Sequence, residues 1–119
     1  MRVDLRPYLG TRVTVVIDRP LGSAHPAFKH SRYPINYGYL PGTAAGDGAP
    51  IDAYVLGIEE PVAEATGVVI AFVLRTNDVE DKLVVAPPGR RFAAPEIEAL
   101  VAFQEGFFDS RVVVDDRCW

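Results

Sequence analysis

Residues 66–75, TGVVIAFVLR, contain the longest apolar run in this chain of 119 residues. The run is much shorter than the roughly 20 apolar residues that a membrane-spanning helix needs. Its valine and isoleucine content is typical of a β-strand, and apolar side chains at nearly every position indicate that both faces are buried. We therefore expect a central strand of a folded domain and no association with a membrane.

Composition predicts a single cytoplasmic domain over residues 1–119. Hydrophobic residues make up 49% of the chain and charged residues 24%, which is ordinary for a globular domain. Cys118 is the single cysteine, which excludes an internal disulfide and a cysteine-based zinc site. Residues 1–6 lack the apolar stretch of a secretory signal. These observations together favour a reducing, cytoplasmic environment.

Turn-forming residues divide the chain into short strands. Ten prolines and ten glycines are spread along the sequence, as in a β-rich domain. Besides residues 66–75, strands are predicted at residues 12–18, 35–40, 51–56, 81–86 and 111–114.

One segment has helical periodicity. It begins near Pro95, which suits the first turn of a helix, and extends to Phe108 with apolar residues at spacings of three and four. The predicted elements indicate a mainly β fold: a small OB-like five-stranded barrel with one C-terminal helix. A fragment of a β-sandwich is the alternative.

Charge is distributed unevenly along the chain. Twelve basic and sixteen acidic residues give a net charge of −4, which argues against nucleic-acid binding because that needs a basic face. However, residues 19–46 contain no acid and carry Arg19, Lys29 and Arg32, whereas residues 47–81 contain eight acids and one base. If both segments border one cleft, the fitting ligand is a polyanion bridged to carboxylates by a divalent metal. The alternative is that the opposite charges meet on a solvated surface.

Residues 47–52, DGAPID, place two carboxylates five positions apart. Asp47 lies in a glycine-containing turn and Asp52 lies just inside a predicted strand, so a turn stiffened by Pro50 is able to aim both side chains at one point. The two-residue period of a strand puts Asp52 and Tyr54 on the same face. An acid that faces a filled barrel interior must be paired or hold a metal. The alternative for Asp47 is a plain Asp-Gly turn.

Residues 77–82, NDVEDK, form a second acidic cluster between two predicted strands. In an extended chain Asp78, Glu80 and Lys82 share a face, and Asp81 points away from it. One interpretation is a magnesium-binding carboxylate beside an ammonium that binds phosphate, since Mg²⁺ prefers hard oxygen ligands and bridges carboxylates to phosphates. A surface ion-pair network is the alternative.

Residues 33–39, YPINYGY, carry three tyrosines. Tyr33 and Tyr39 fit the filling of a barrel, whereas the phenol of Tyr37 at a cleft would donate to a phosphate oxygen. Together with Phe28, the rings also suggest a base-stacking platform next to basic residues. The acidic net charge argues against that third interpretation.

In chain order, YPINYG at 33–38, DGAPID at 47–52 and the acidic cluster that ends at Lys82 resemble the motifs of the family I soluble inorganic pyrophosphatases. The resemblance implies an OB-like barrel, magnesium-dependent hydrolysis of a phosphoanhydride, foremost diphosphate, and a homo-oligomer. The metal ligands that it implies are Asp47, Asp52, Asp78 and Glu80, with Asp81 as the rival of Glu80. The residues that it implies for phosphate contact are Tyr37 and Lys82, and those for catalysis are Asp47, Asp52 and Tyr37.

The sequence departs from the family pattern at positions that carry chemistry. Ala49 stands where the family has the aspartate expected to act as general base, and Phe107-Phe108 aligns with a tyrosine–lysine pair on the family's helix. His25 is an alternative proton acceptor or a support for the proline-rich loop around it. The basic residues expected to replace the lost phosphate donors are Lys29, Arg32 and Arg19. These departures leave open a catalytically weak or dead relative that binds a phosphorylated metabolite or nucleotide.

Overall fold

The computed structural model describes residues 4–25, 32–44, 48–76, 81–106 and 108–114. The elements are β1 (Arg12–Arg19), β2 (Asn36–Leu40), β3 (Ile51–Val55), β4 (Glu64–Arg75), β5 (Lys82–Ala86), α1 (Ala94–Glu105) and β6 (Ser110–Val114), with a 3-10 helix at Arg6–Tyr8. Every predicted strand is present, with ends within two residues of the expected ones. The predicted helix is present too, but it ends at Glu105 rather than near Phe108.

Five strands close into a barrel. Neighbouring strands pair in the order β1-β2-β3-β5-β4, and β1 also pairs with β4, which closes the ring. The β3–β5 pair is parallel, and the other pairs are antiparallel. The length of β4 allows this closure, because β1 pairs with residues 64–68 and β6 with residues 71–75. The mainly β, OB-like five-stranded barrel with a helix near the C-terminus is therefore confirmed, and β6 is an additional strand outside the ring.

The inside and the outside of the barrel carry separate apolar clusters. The interior cluster takes side chains from all five barrel strands, among them Val15, Leu40, Ala53, Phe72 and Leu83. The outer cluster lies on the opposite face of β2 to β5, where Ile97 and Val101 of α1 pack on it. A β-bulge between Val69 and Ala71 lets the consecutive residues Ile70 and Ala71 both join the outer cluster. The helix therefore covers one patch of the barrel wall, and the candidate site lies at the margin of that patch.

Helix α1 begins as its sequence predicts. Pro95 occupies the first turn, and a carboxylate oxygen of Glu96 accepts the backbone N–H of Ala93 at 3.2 Å. In the described ranges, no helix is long and apolar enough to cross a membrane.

Gly38 has a packing role within the YPINYGY segment. A Cβ atom at this position would lie 1.8 Å from the carbonyl oxygen of Val16 on β1. The absence of a side chain therefore lets β1 and β2 approach closely where they pair. This close approach fixes the position of the neighbouring Tyr37.

Candidate active site

Asp52 and Lys82 meet at the starts of β3 and β5. These strands run parallel with Ala53 opposite Leu83, so the two residues before that pair lie side by side. Lys82 Nζ donates to Asp52 Oδ2 at 2.9 Å. The Lys82 side chain is 3% exposed and that of Asp52 is 26% exposed. A buried ammonium needs such a partner, and the carboxylate remains open to solvent on one side.

Tyr37 completes this group from β2. It pairs across the sheet with Tyr54, and the ring centroids of the two tyrosines are 5.1 Å apart. Lys82 Nζ lies 5.4 Å from the centroid of the Tyr37 ring. Burial, and then the negative charge of Asp52, raise the pKa of Tyr37 above its ordinary value. Tyr37 is therefore a neutral phenol close to the Asp52 carboxylate.

Helix α1 contributes an amide to the same group. Gln104 Oε1 accepts the Tyr33 hydroxyl at 3.3 Å, and Gln104 Nε2 donates to the Tyr54 hydroxyl at 2.9 Å. Phe103 packs edge-on against Tyr33 and Tyr54, with centroid distances of 5.2 and 6.0 Å. The helical residues that face the tyrosines are thus Phe103 and Gln104.

The sequence aligned Phe107-Phe108 with a tyrosine–lysine pair on the family's helix. Phe107 lies outside the described residues. Phe108 follows the end of the helix and packs against the guanidinium of Arg75, which lies 3.6 Å from its ring centroid. The sequence did contain a signal for Gln104: together with Glu105 it continues the buried stripe of Ile97 and Val101, where a polar residue is unexpected.

A buried ion pair lies behind the amide. Arg75 donates to both carboxylate oxygens of Glu105, at 3.0 and 2.7 Å, and both side chains are 4% exposed. The Tyr54 hydroxyl donates to Glu105 Oε2 at 2.6 Å. Burial, followed by the charge of Glu105, raises the pKa of Tyr54 well above its ordinary value. A continuous chain of hydrogen bonds therefore runs from Arg75 to Gln104.

Asn36 fixes the loop that follows β1. Its fully buried side chain accepts the backbone N–H of Leu21 at 2.9 Å and donates to the carbonyl oxygens of Ile58 and Glu60 at 3.3 and 3.0 Å. The loop after β1 and the segment after β3 are thereby both tied to β2. Sequence reasoning quoted Asn36 as part of a motif without a role for it, because its partners are distant in sequence.

The end of β1 and the loop that follows it bring Arg19 and His25 to the tyrosines. Arg19 pairs across the sheet with Tyr37, and the His25 ring stacks on the Tyr33 ring with a centroid distance of 5.4 Å. Burial is the main cause that raises the pKa of Tyr33, and Arg19 opposes it. Arg19, predicted to bind phosphate, thus lies next to the group around Asp52. Arg32 is exposed and pairs through its backbone with Ala24.

Asp81 does not join Asp52, which corrects its prediction as a metal ligand beside that residue. It is 5% exposed, and its Oδ1 accepts the backbone N–H of Arg75 at 3.0 Å. It lines a cavity of about 470 Å³ together with Leu5 and Phe72 of the interior cluster. The physical reason is the alternation of a strand: Lys82 points outward, so its neighbour points the other way.

Several other predicted residues fall outside the described ranges: Lys29, Asp47, Asp78 and Glu80. Within the described residues, no three histidine, cysteine, aspartate or glutamate side chains form a metal-binding group. The donor chemistry around Asp52 nevertheless fits magnesium, because a partly exposed carboxylate is a hard oxygen ligand. The two segments that carry the other predicted carboxylates lead directly into the adjacent, parallel starts of β3 and β5.

Comparison with known proteins defines the class of this barrel. The family model described as inorganic pyrophosphatase matches residues 12–106. The chain therefore belongs to the inorganic pyrophosphatase family. A stretch of 60 residues is 45% identical to the inorganic pyrophosphatase of Aeropyrum pernix, and this match covers 47% of the chain and 34% of that protein. The chain thus matches only about a third of the length of this curated relative.

Solved structures of inorganic pyrophosphatases share the fold. The enzyme of Ehrlichia chaffeensis superimposes with a TM-score of 0.69 at 18% identity, covering 89% of this chain and 87% of that one. The pyrophosphatase of Helicobacter pylori gives a TM-score of 0.61 at 18% identity, covering 97% and 86%. At such low identity these similarities establish the architecture, while the chemistry must be argued from the residues themselves.

Proposed function

We propose that the protein hydrolyses a phosphoanhydride in a magnesium-dependent reaction, with inorganic diphosphate as the first substrate to test and two phosphates as products. The observation that carries the proposal is the group of Asp52, Lys82 and Tyr37. It unites an oxygen ligand for a metal, a cation for phosphate and a phenol. Membership of the inorganic pyrophosphatase family supports the reaction class.

Asp52 would hold the magnesium together with carboxylates from the segments before β3 and β5, namely Asp47, Asp78 and Glu80. Magnesium, when bound, neutralises phosphate charge and lowers the pKa of water. Lys82 places a buried positive charge for a phosphate oxygen, and Arg19 adds a second cation at the tyrosines. Tyr37 adds a buried, neutral phenol near the Asp52 carboxylate.

Ala49 affects the expected rate. It offers no carboxylate at the position where the family resemblance places a general base, and such a base contributes about 10²–10⁴-fold to the rate. Phosphoryl transfer depends mainly on positioning and charge neutralisation. We therefore expect measurable but slow turnover.

The test is phosphate release from diphosphate with and without magnesium. The isosteric variant Asp52→Asn keeps the shape of the side chain and removes its charge, so we expect phosphate release to fall at least about 100-fold. Asp109→Asn is the matched control, since Asp109 is exposed and its recorded hydrogen bonds use its backbone oxygen. Magnesium-independent release, or equal rates for both variants, would contradict the proposal.

A second candidate is a binding protein for a phosphorylated metabolite or nucleotide. The observations that favour it are Ala49 and the neutral amide of Gln104 at a place where a cation would serve phosphate better. It predicts phosphate-ligand binding in calorimetry that depends on Lys82, together with no phosphate release by the wild-type protein.

We further propose a homo-oligomer in the cytoplasm. The half-buried valines at 112–114 of β6 support self-association, because they leave apolar surface outside the barrel ring. A monomer in light scattering at working concentrations would contradict it. The single cysteine is consistent with a reducing compartment.

A further inference from the structure

Strand β6 is an edge of the sheet. It pairs with β4 on one side through residues 110–114, and in the described part of the chain no strand pairs with its other side. Its valines are half-buried, with Val113 packed against the interior cluster and Val112 and Val114 against the outer cluster. An edge of β-branched residues is a template for the addition of another strand.

One hydrogen bond shows which backbone groups of β6 point away from β4. The N–H of Thr76 donates to the carbonyl oxygen of Asp109 at 2.8 Å, one position before the ladder of β4 and β6 begins. Hydrogen-bonded and non-hydrogen-bonded pairs alternate in an antiparallel ladder. Residues 111 and 113 therefore bond to β4, and residues 110, 112 and 114 direct their N–H and C=O groups outwards.

A cavity lies on each face of this edge. One, of about 470 Å³, includes Asp81, Arg111 and an Asp4–Arg6 ion pair on the face of the interior cluster. The other, of about 340 Å³, lies between β6 and helix α1 and includes Val112. A strand added to an edge gains affinity from backbone hydrogen bonds and specificity from spaces that receive its alternate side chains. Both faces of β6 offer such space, and the carboxylate of Asp81 favours a cationic side chain on the first.

The outward groups of β6 are complementary to those of a second, antiparallel β6. Because only the even-numbered residues of β6 point outwards, hydrogen bonding requires an even residue to face an even residue. Placing Arg111 opposite a second Arg111 would set like charges against each other, which destabilises a sheet. Placing Val112 opposite a second Val112 avoids that contact and pairs all five residues of the strand. Each Arg111 then lies opposite a Val113, on the face of the cavity that contains Asp81.

We propose that β6 is the interface for a second copy of this chain, paired antiparallel about Val112, so that the sheets of two copies become continuous across a two-fold axis. Each pair of facing outward residues contributes two backbone hydrogen bonds. The inference rests on the proposed homo-oligomer, whose contact surface it specifies, and it does not require turnover.

Disulfide trapping tests the register. Val112→Cys in a Cys118→Ser background places the two cysteine Cα atoms about 5.5 Å apart, within the range of a disulfide. Ser110→Cys in the same background is the matched control, because its two Cα atoms would be roughly 13 Å apart. We expect an oxidised dimer on a non-reducing gel for the first variant and a monomer for the second. Equal cross-linking of both variants, or none at Val112, would overturn the inference.

Sedimentation equilibrium tests the backbone hydrogen bonds. Val112→Pro removes an outward N–H and keeps the ladder to β4, since proline is tolerated on an edge strand. Val112→Thr keeps both the N–H and the β-branched shape. We expect the proline to raise the dissociation constant between copies at least about tenfold, because two hydrogen bonds are lost, and the threonine to change it by less than about threefold. Should Val112→Pro fail to fold, Ser110→Pro removes an outward N–H at the first residue of β6 and is expected to act in the same direction.

Three results separate this inference from the other proposals. A monomeric wild-type protein would overturn both this interface and the homo-oligomer. An oligomer with the same dissociation constant in Val112→Pro as in the wild type would keep the homo-oligomer and overturn β6 as its interface. Phosphate release is measured independently, and a protein paired through β6 without magnesium-dependent release would sustain this inference and refute the hydrolase.

Discussion

Lys82 and Asp52 form an ion pair whose two members are buried to very different extents. The lysine side chain is 3% exposed, whereas the aspartate is 26% exposed. Removing one partner of a buried pair costs more than the pair contributes, because the remaining charge is poorly solvated. The cost therefore depends on which member is removed.

We predict that Asp52→Ala destabilises the protein by about 2 kcal/mol, because Lys82 loses a charged partner in a buried position. Lys82→Met should cost less than about 1 kcal/mol, since Asp52 is able to regain water and the lysine stem is replaced by an apolar one of similar length. Urea denaturation of the two variants measures the difference. Equal losses for both substitutions would show that the unequal burial has no energetic consequence.

Gly38 illustrates a residue whose role is set by backbone contact alone. The ladder between β1 and β2 would place any Cβ there against the carbonyl oxygen of Val16. A glycine between two tyrosines is visible in the sequence, but the strand that requires it lies more than twenty residues earlier. The YPINYGY segment therefore contains a residue required for strand packing, Gly38, next to a residue of the candidate site, Tyr37.

At the scale of elements, the loop between β1 and β2 is defined by one buried side chain. Asn36 is hydrogen-bonded to Leu21 and to the segment that contains Ile58 and Glu60. These bonds hold the backbone that directly follows Arg19, the last residue of β1. The hydrogen bond to Asn36 thus helps to hold this loop beside the candidate site.

Asn36→Ala should release this loop while the barrel remains folded. We expect faster amide hydrogen exchange at Leu21 and Gly22 and a loss of stability of about 3 kcal/mol, because buried polar groups lose their partners. The matched control is Thr43→Ala, whose hydroxyl braces a different loop through Leu40 and Ile51. Exchange at Leu21 that stays as slow as in the wild type would refute this role of Asn36.

Helix α1 and the sheet meet through polar as well as apolar contacts. Ile97 and Val101 pack its middle against the barrel, while Gln104 and Glu105 end it in hydrogen bonds. Buried polar networks of this kind stabilise only when every member is satisfied. The end of helix α1 therefore packs on the barrel and also contributes hydrogen-bonding side chains next to the candidate site.

At the scale of the whole molecule, buried tyrosines link stability to alkaline pH. Burial is the leading cause that raises the pKa values of Tyr33, Tyr37 and Tyr54. In the unfolded chain these phenols ionise near pH 10. Their contribution to stability is therefore complete below pH 10 and is lost as the pH rises above it, since the unfolded state releases protons that the native state retains.

We predict that the free energy of unfolding falls between pH 9 and 11, by about 1.4 kcal/mol per pH unit above pH 10 for each such tyrosine. Tyr54→Phe should reduce this slope by the contribution of one tyrosine, about 1.4 kcal/mol per pH unit. Tyr8→Phe, a half-buried position outside the cluster, should leave the slope unchanged. Chemical denaturation at several pH values provides the measurement, and the same slope in Tyr54→Phe as in the wild type would contradict the prediction.

The local sequence pattern was sufficient to predict the strands and the helix. The strands follow from short β-branched runs between prolines and glycines, and residues 66–75 are buried on both faces along most of their length, as their composition predicts. The shared face of Asp52 and Tyr54 on β3 follows from strand alternation. The contact of Asp52 with Lys82 does not, because the parallel pairing of β3 and β5 brings together residues thirty positions apart.

The sequence by itself determined the barrel, its helix and the family motifs, and it predicted Asp52, Lys82, Tyr37 and Arg19 as site residues. Tertiary structure alone decided that Lys82 contacts Asp52, that Gln104 rather than Phe108 reaches the tyrosines, and that Asn36 holds the loop after β1. The physical reason is the separation along the chain over which each kind of interaction acts. Periodicity and propensity act between neighbours in the chain, whereas hydrogen bonds join groups from distant elements only after packing has set their distance and direction.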